Sequence, residues 1–169
     1  SVYWVFAFLT FGTTTLIGNH FGAGDKKACG QTYLHALFLA LAGGLAVAIA
    51  GMAFAEPLHR LLGAEPAVIA LGANYFRLYI ASAPLTLMVY SSIGFLRGIQ
   101  NTRTPLLIAF VITTLQLTLD FAMIYGNLGF PALGLVGAAV AACIAQLSGA
   151  AIYLTLFLTP RQTTDYRTV

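Results

Sequence analysis

Thr113, Gln116 and Asp120 stand three and four residues apart in the run LLIAFVITTLQLTLDFAMIY. At helical spacing all three share one face. Together they offer a hydroxyl, an amide oxygen and a carboxylate. These are hard oxygen donors, suited to a proton, to Na⁺ or to a cationic solute. A carboxylate inside an apolar helix costs about 2.5 to 3.5 kcal/mol on insertion scales, which makes Asp120 a functional candidate by default. It lies roughly 22 Å beyond Pro105 at the helical rise, in the far half of a membrane-spanning segment.

Arg77 is the other charge within an apolar stretch. Counted from Pro66 it is roughly 16 Å deep, on the side from which Asp120 is about 9 Å deep. Snorkelling could bring the two together. Two readings of Asp120 follow: it senses an ion, or it pairs with Arg77 for structural reasons. They are compatible, because Arg77 could hold Asp120 ionised until a cation arrives. Gln146 and Tyr153 could face the same cavity or bond between helices.

Other chemistry lacks support. FGAGDKK has neither Walker-A spacing nor a strand before it. His20, His35 and His59 share no ligand spacing, and Cys29 and Cys143 fit no metal or redox pattern. No Ser, His and acid set converges. Tyr3, Trp4, Tyr79, Tyr90, Tyr125 and Tyr153 read as interface or packing aromatics rather than a substrate box. A net charge of +3, with Lys26–Lys27 the only adjacent basic pair, gives no nucleic-acid footprint.

The elements that position these residues follow from composition. Of 169 residues, 59% are hydrophobic and 8% charged. A soluble domain carries about a quarter charged residues, so the chain reads as an all-α, multi-span membrane protein. Five segments are long enough to cross: 2–21, 32–55, 67–96, 105–126 and 132–158. Pro84 predicts a kink in the third. The polar remainder, 159–169, reads as a tail. The opening Ser1, without a basic n-region, suggests a piece of something longer.

Lys26, Lys27, Arg97, Arg103, Arg161 and Arg167 fall in the first and third connections and the tail. The even connections hold only Arg60. Basic loops stay cytoplasmic, so the loops near 22–31 and 97–104 and the tail are expected inside. Thr102, Thr104 and Pro105 read as a helix start, with a cap before a first-turn proline. Gly137, Ala141, Ala145 and Gly149 repeat every four residues, as do Ala40, Gly44 and Ala48. Both stripes predict close helix packing.

The order of residues in RGIQNTRTPL, from Arg97 to Leu106, then resembles the multidrug and toxic compound extrusion (MATE) family, nearest its DinF-like branch. LDFAMIYGNLGFPALGLVGAAVA, from Leu119 to Ala141, and FGAGDKKACG, from Phe21 to Gly30, resemble further landmarks of that family in the right order. Asn101 stands where the family usually has Asp. The resemblance implies helices two to six of a twelve-helix transporter of the MOP superfamily, most of one six-helix lobe. It implies a missing first helix and C-terminal lobe as partners, a surrounding lipid membrane, and 159–169 as a cytoplasmic inter-lobe linker.

The implied activity is secondary antiport in the cell (inner) membrane. Amphipathic or cationic compounds would leave against inward H⁺ or Na⁺, with no cofactor and no enzymatic reaction. Asp120 matches an acidic position of a lobe-one cation site in some members. Gln116 replaces an Asn there, and Ala142 a common Thr. A lipid-linked sugar flippase of the same superfamily, or an inactive scaffold, are the alternatives.

Overall fold

A computed structural model describes residues 3–61, 66–126 and 131–158, with side chains over 8–55, 72–126 and 131–158. The expected linker 159–169, with Arg161 and Arg167, lies outside the described residues, as do the side chains of Tyr3, Trp4, His59 and Arg60. The described residues fold as six helices: α1 (Tyr3–Gly22), α2 (Lys26–Leu61), α3 (Pro66–Ala81), α4 (Ala83–Gly98), α5 (Arg103–Tyr125) and α6 (Leu135–Leu158).

Within them, Lys26–Ala55, Arg103–Tyr125 and Leu135–Leu158 are long and apolar enough to cross a membrane. The bent pair Gly72–Ala81 and Ala83–Gly98 counts as a fourth span, broken by 45°. Phe8, Phe38 and Phe110 are 77%, 74% and 72% exposed. Large apolar side chains on so much of the surface belong against lipid, because water would drive them together.

The chain departs from the expected boundaries at three places. The first connection shrinks to Ala23–Asp25. Asp25 Oδ1 accepts the Ala28 backbone N–H at 2.9 Å, so the acid caps α2 and draws Lys26, Lys27 and Cys29 into its first turns. At the other end α2 runs through Pro57 to Leu61, into the expected second loop. One proline removes one backbone donor, and here that does not stop the helix.

The third departure is the kink. It falls at Ser82, two residues before Pro84, and is sharp enough to divide the expected span 67–96 into α3 and α4. Pro84 cannot donate to the preceding turn, and its ring crowds the carbonyl four residues back. The Ser82 hydroxyl donates to Tyr79 O at 2.7 Å, and Thr86 donates its backbone N–H to Ser82 O at 3.0 Å. These bonds satisfy groups that the break frees.

α4 is the hub. α1 and α2 pack along it, α6 packs against it, and α3 bridges α2 and α6. The expected small-residue stripes are seams of this assembly. A Cβ on Gly137 would lie 2.6 Å from Met123 O, and one on Gly149 2.5 Å from Ile112 Cδ1, so α6 meets α5 at van der Waals distance. A Cβ on Gly44 would overlap Pro84.

The Thr-rich stretch of α1 is likewise a packing face. Thr10 Oγ1 donates to Tyr90 O at 3.3 Å, and Thr14 Oγ1 to Gly94 O at 3.2 Å. Thr13, Thr14 and Thr15 also return their hydroxyls to carbonyls four residues back, at 2.7, 2.8 and 2.9 Å.

The polar turn between α4 and α5 has its own logic. Asn101 donates its N–H to Leu96 O at 2.8 Å and Gln100 to Arg97 O at 3.0 Å, closing the end of α4. Gln100 holds φ at 62° to allow this. The cap of α5 differs from the expectation. Thr102 makes no side-chain cap bond, and the Thr104 backbone N–H donates instead to Asn101 Oδ1 at 3.2 Å. An Asp would present the same acceptor. Asn101→Ala is therefore expected to cost about 1 kcal/mol and Asn101→Asp to keep the cap. Thermal unfolding of the full-length parent in detergent measures both.

Candidate functional site

α5 leans on α6 and touches α4 only lightly, so a cleft opens between α4 and α5. Its volume is about 220 Å³, and α6 forms its back wall. Thr86 and Tyr90 line it from α4, Thr113 and Gln116 from α5, and Gln146 and Tyr153 from α6. Three of the five residues singled out in the sequence therefore meet there: Thr113, Gln116 and Gln146. Thr113 is exposed and Gln116 half-buried.

Asp120 sits one helical turn beyond Gln116, on the same face of α5. By the helical rise it is about 8 Å from the Tyr125 end. Its residue is half-buried, and its Oδ1 is buried without a hydrogen-bond partner. Gln146 Oε1 and the Tyr153 hydroxyl are in the same condition. Buried polar atoms are nearly always satisfied. Gln146 and Tyr153 line the cleft, and Asp120 lies farther along α5, outside that lining.

Arg77 and Asp120, possible partners by their depth, stand on different helices. Arg77 lies on α3, which among the described residues packs on α2, α4 and α6 and makes no contact with α5. Arg77 is half-buried and engaged in interactions of its own. Depth along the membrane normal brought the two charges to a similar level. It carried no information about which helices are neighbours.

Tyr153 is the residue whose role the sequence left open and the structure places. It is 3% exposed and its ring forms part of the cleft wall. Its spacing gave one signal: seven residues separate it from Gln146, two turns along one face of α6.

A larger hollow, about 380 Å³, lies between α1 and α2, lined by Phe8, Leu9, Leu16, His35 and Leu39 among others. Its buried hydroxyl, on Thr13, is already bonded to Leu9 O. Among the described residues no group of three or more His, Cys, Asp or Glu comes together to hold a metal ion.

Comparison with known proteins places this geometry. Residues 1–122 match the MatE family. The chain is 33% identical over 140 residues to the probable multidrug resistance protein YoeA of Bacillus subtilis, covering 81% of this chain and 30% of that protein. It superposes on the inward-facing conformation of a multidrug resistance MATE family transporter of the MOP superfamily with a TM-score of 0.85 at 28% identity, covering 92% of this chain and 34% of that one. The outward-facing conformation of such a transporter gives a TM-score of 0.87 at 27% identity, covering 98% and 36%. The chain thus spans about a third of the length of the proteins it matches.

Proposed function

Because the chain belongs to the MatE family, a family of multi-pass membrane transporters, we propose that it forms most of one lobe of a secondary antiporter. Its parent protein would export amphipathic or cationic organic compounds from the cell, coupled to inward H⁺ or Na⁺. The observation that supports this reading is a polar-lined cleft in an apolar bundle, with Gln146 Oε1 unbonded among its lining residues, and the buried, unbonded Oδ1 of Asp120 one turn beyond Gln116 on the same helix. A buried carboxylate is costly in an apolar bundle, and a visiting proton or cation offsets that cost.

Asp120 holds the proton or Na⁺ in this reading. Gln116, Thr113 and Gln146 supply neutral oxygens, and Arg77 acts from elsewhere in the lobe. The ion shifts the balance between inward- and outward-facing states through its different affinity for each. The near-equal superposition on both conformations supports a lobe that moves largely as one body. In this orientation Lys26, Lys27, Arg97 and Arg103 face the cytoplasm, and the membrane is the inner one.

The test uses the full-length parent, purified and reconstituted in lipid vesicles. A fluorescent cationic dye is expected to move against an imposed H⁺ or Na⁺ gradient and to stop when that gradient is collapsed. Transport of a lipid-linked sugar, with the dye left behind under either gradient, would overturn the reading in favour of a flippase.

A further inference from the structure

Beyond the cleft, on the other side of Tyr153, lies a further and much smaller space. Its volume is about 10 Å³, and Tyr33, Ser92, Phe95, Tyr153 and Phe157 are among its walls. The Tyr33, Ser92 and Tyr153 side chains are 1%, 3% and 3% exposed. Each lies about 8 to 10 Å from the end of its helix at the helical rise, all at the basic end of the bundle. Aromatic contacts line this chamber: Tyr33 to Phe95 at 4.6 Å between ring centres, Tyr33 to Phe157 at 4.3 Å and Phe95 to Phe157 at 5.6 Å.

The hydrogen bonds on one wall have a direction. Ser92 Oγ donates to Met88 O at 2.8 Å. Either hydroxyl can donate in the 2.7 Å contact between Tyr33 and Ser92, and with the Ser92 proton on Met88 O the donor is Tyr33. Tyr33 Oη is left with a free lone pair. Across the chamber the Tyr153 hydroxyl has no partner. A donor on one wall and an acceptor on the other face a space that meets the minimum for one water, which needs roughly 10 to 15 Å³ and at least two polar partners.

We propose that a single ordered water occupies this chamber, accepting a hydrogen bond from Tyr153 and donating one to Tyr33. The chain then runs Tyr153 to water, water to Tyr33, Tyr33 to Ser92 and Ser92 to Met88 O. It joins α6 to the α2–α4 pair that the Tyr33–Ser92 bond already links. It also extends the polar lining of the cleft past Tyr153 to within about 10 Å of the basic helix ends. Nothing in it depends on the substrate or the coupling ion.

Two measurements on the full-length parent test this. A structure at a resolution that shows ordered water is expected to hold a peak within hydrogen-bond distance of both tyrosine hydroxyls. A dry chamber, or Tyr153 bonded directly to a protein group, overturns the proposal. Tyr153→Phe, Tyr33→Phe and the double variant form a thermal-stability cycle. The double variant is expected to melt no lower than the worse single one, since either change already breaks the bridge. Additive losses overturn the proposal. Should Tyr33→Phe fail to fold, Ser92→Ala takes its place, and the water peak is expected to remain between the two tyrosines. Loss of that peak counts against the bridge.

Discussion

Asp120→Asn in the full-length parent is expected to reduce ion-coupled efflux by about 5- to 150-fold, the range of ordinary coupling energies between two sites. The substitution keeps the size and one carbonyl oxygen of the side chain and removes the negative charge. Without that charge H⁺ or Na⁺ has little reason to prefer one state of the lobe, and an ion without preference shifts no equilibrium. Stability should move the other way or not at all. Oδ1 of Asp120 is buried without a partner, and an amide in hydrocarbon is less costly than a carboxylate. Efflux lost at unchanged or raised melting temperature identifies a coupling residue. Efflux retained at the parental level removes Asp120 from the mechanism.

The second large effect is expected at Gly44. A Cβ there would overlap the Cα of Pro84 and lie 2.8 Å from its nitrogen and 3.2 Å from the Ala83 carbonyl carbon. These are backbone atoms beside the Ser82 break, so no rotamer change relieves the clash. The α2–α4 seam must open, and Gly44→Ala is expected to cost about 3 kcal/mol, at the upper end for overpacking. Gly43→Ala is the matched control, because a Cβ at Gly43 meets nothing within 4 Å. It should be neutral or slightly stabilising through helix propensity. Melting of both variants in detergent separates a specific seam from a general intolerance of added methyl groups. Equal melting temperatures would show that α2 and α4 are looser here than the structure has them.

How much of this was legible beforehand depends on the physics behind each feature. The helices were readable because lipid imposes a length and forbids unsatisfied backbone, so apolar runs translate into spans. The packing stripes were readable because small residues at every fourth position have few other uses. Cap chemistry was only half readable. Asn101 and Thr102 both carry a side-chain acceptor, and the choice rests on a turn in which Gln100 adopts φ 62° to close α4.

The kink was attributed to Pro84, and its location two residues earlier depends on where the freed carbonyls find donors. Which helices touch was not readable at all. Thr113, Gln116 and Gln146 meet because α5 lies on α6, whereas Arg77 stands on α3, which packs chiefly on α2 and α6. Two residues at one depth can sit on opposite sides of a bundle. Tyr153 shows the same limit: its type and spacing allowed either a cavity or an interhelical bond, and the structure puts it in the wall of the cleft with its hydroxyl unbonded.

The three consecutive threonine hydroxyls of α1 bear on how such a protein is made. Thr13, Thr14 and Thr15 each satisfy themselves on their own helix, at 2.7 to 2.9 Å. These three hydroxyls are already bonded when the segment leaves the translocation machinery and rests among lipid tails, whereas Thr10 finds its acceptor on α4. Docking against α4 then adds the Thr10 bond to Tyr90 O and the second, longer bond from Thr14. Biogenesis can therefore separate entry into the bilayer from assembly of the lobe, and the order in which α1 and α4 are synthesised sets no deadline on their meeting.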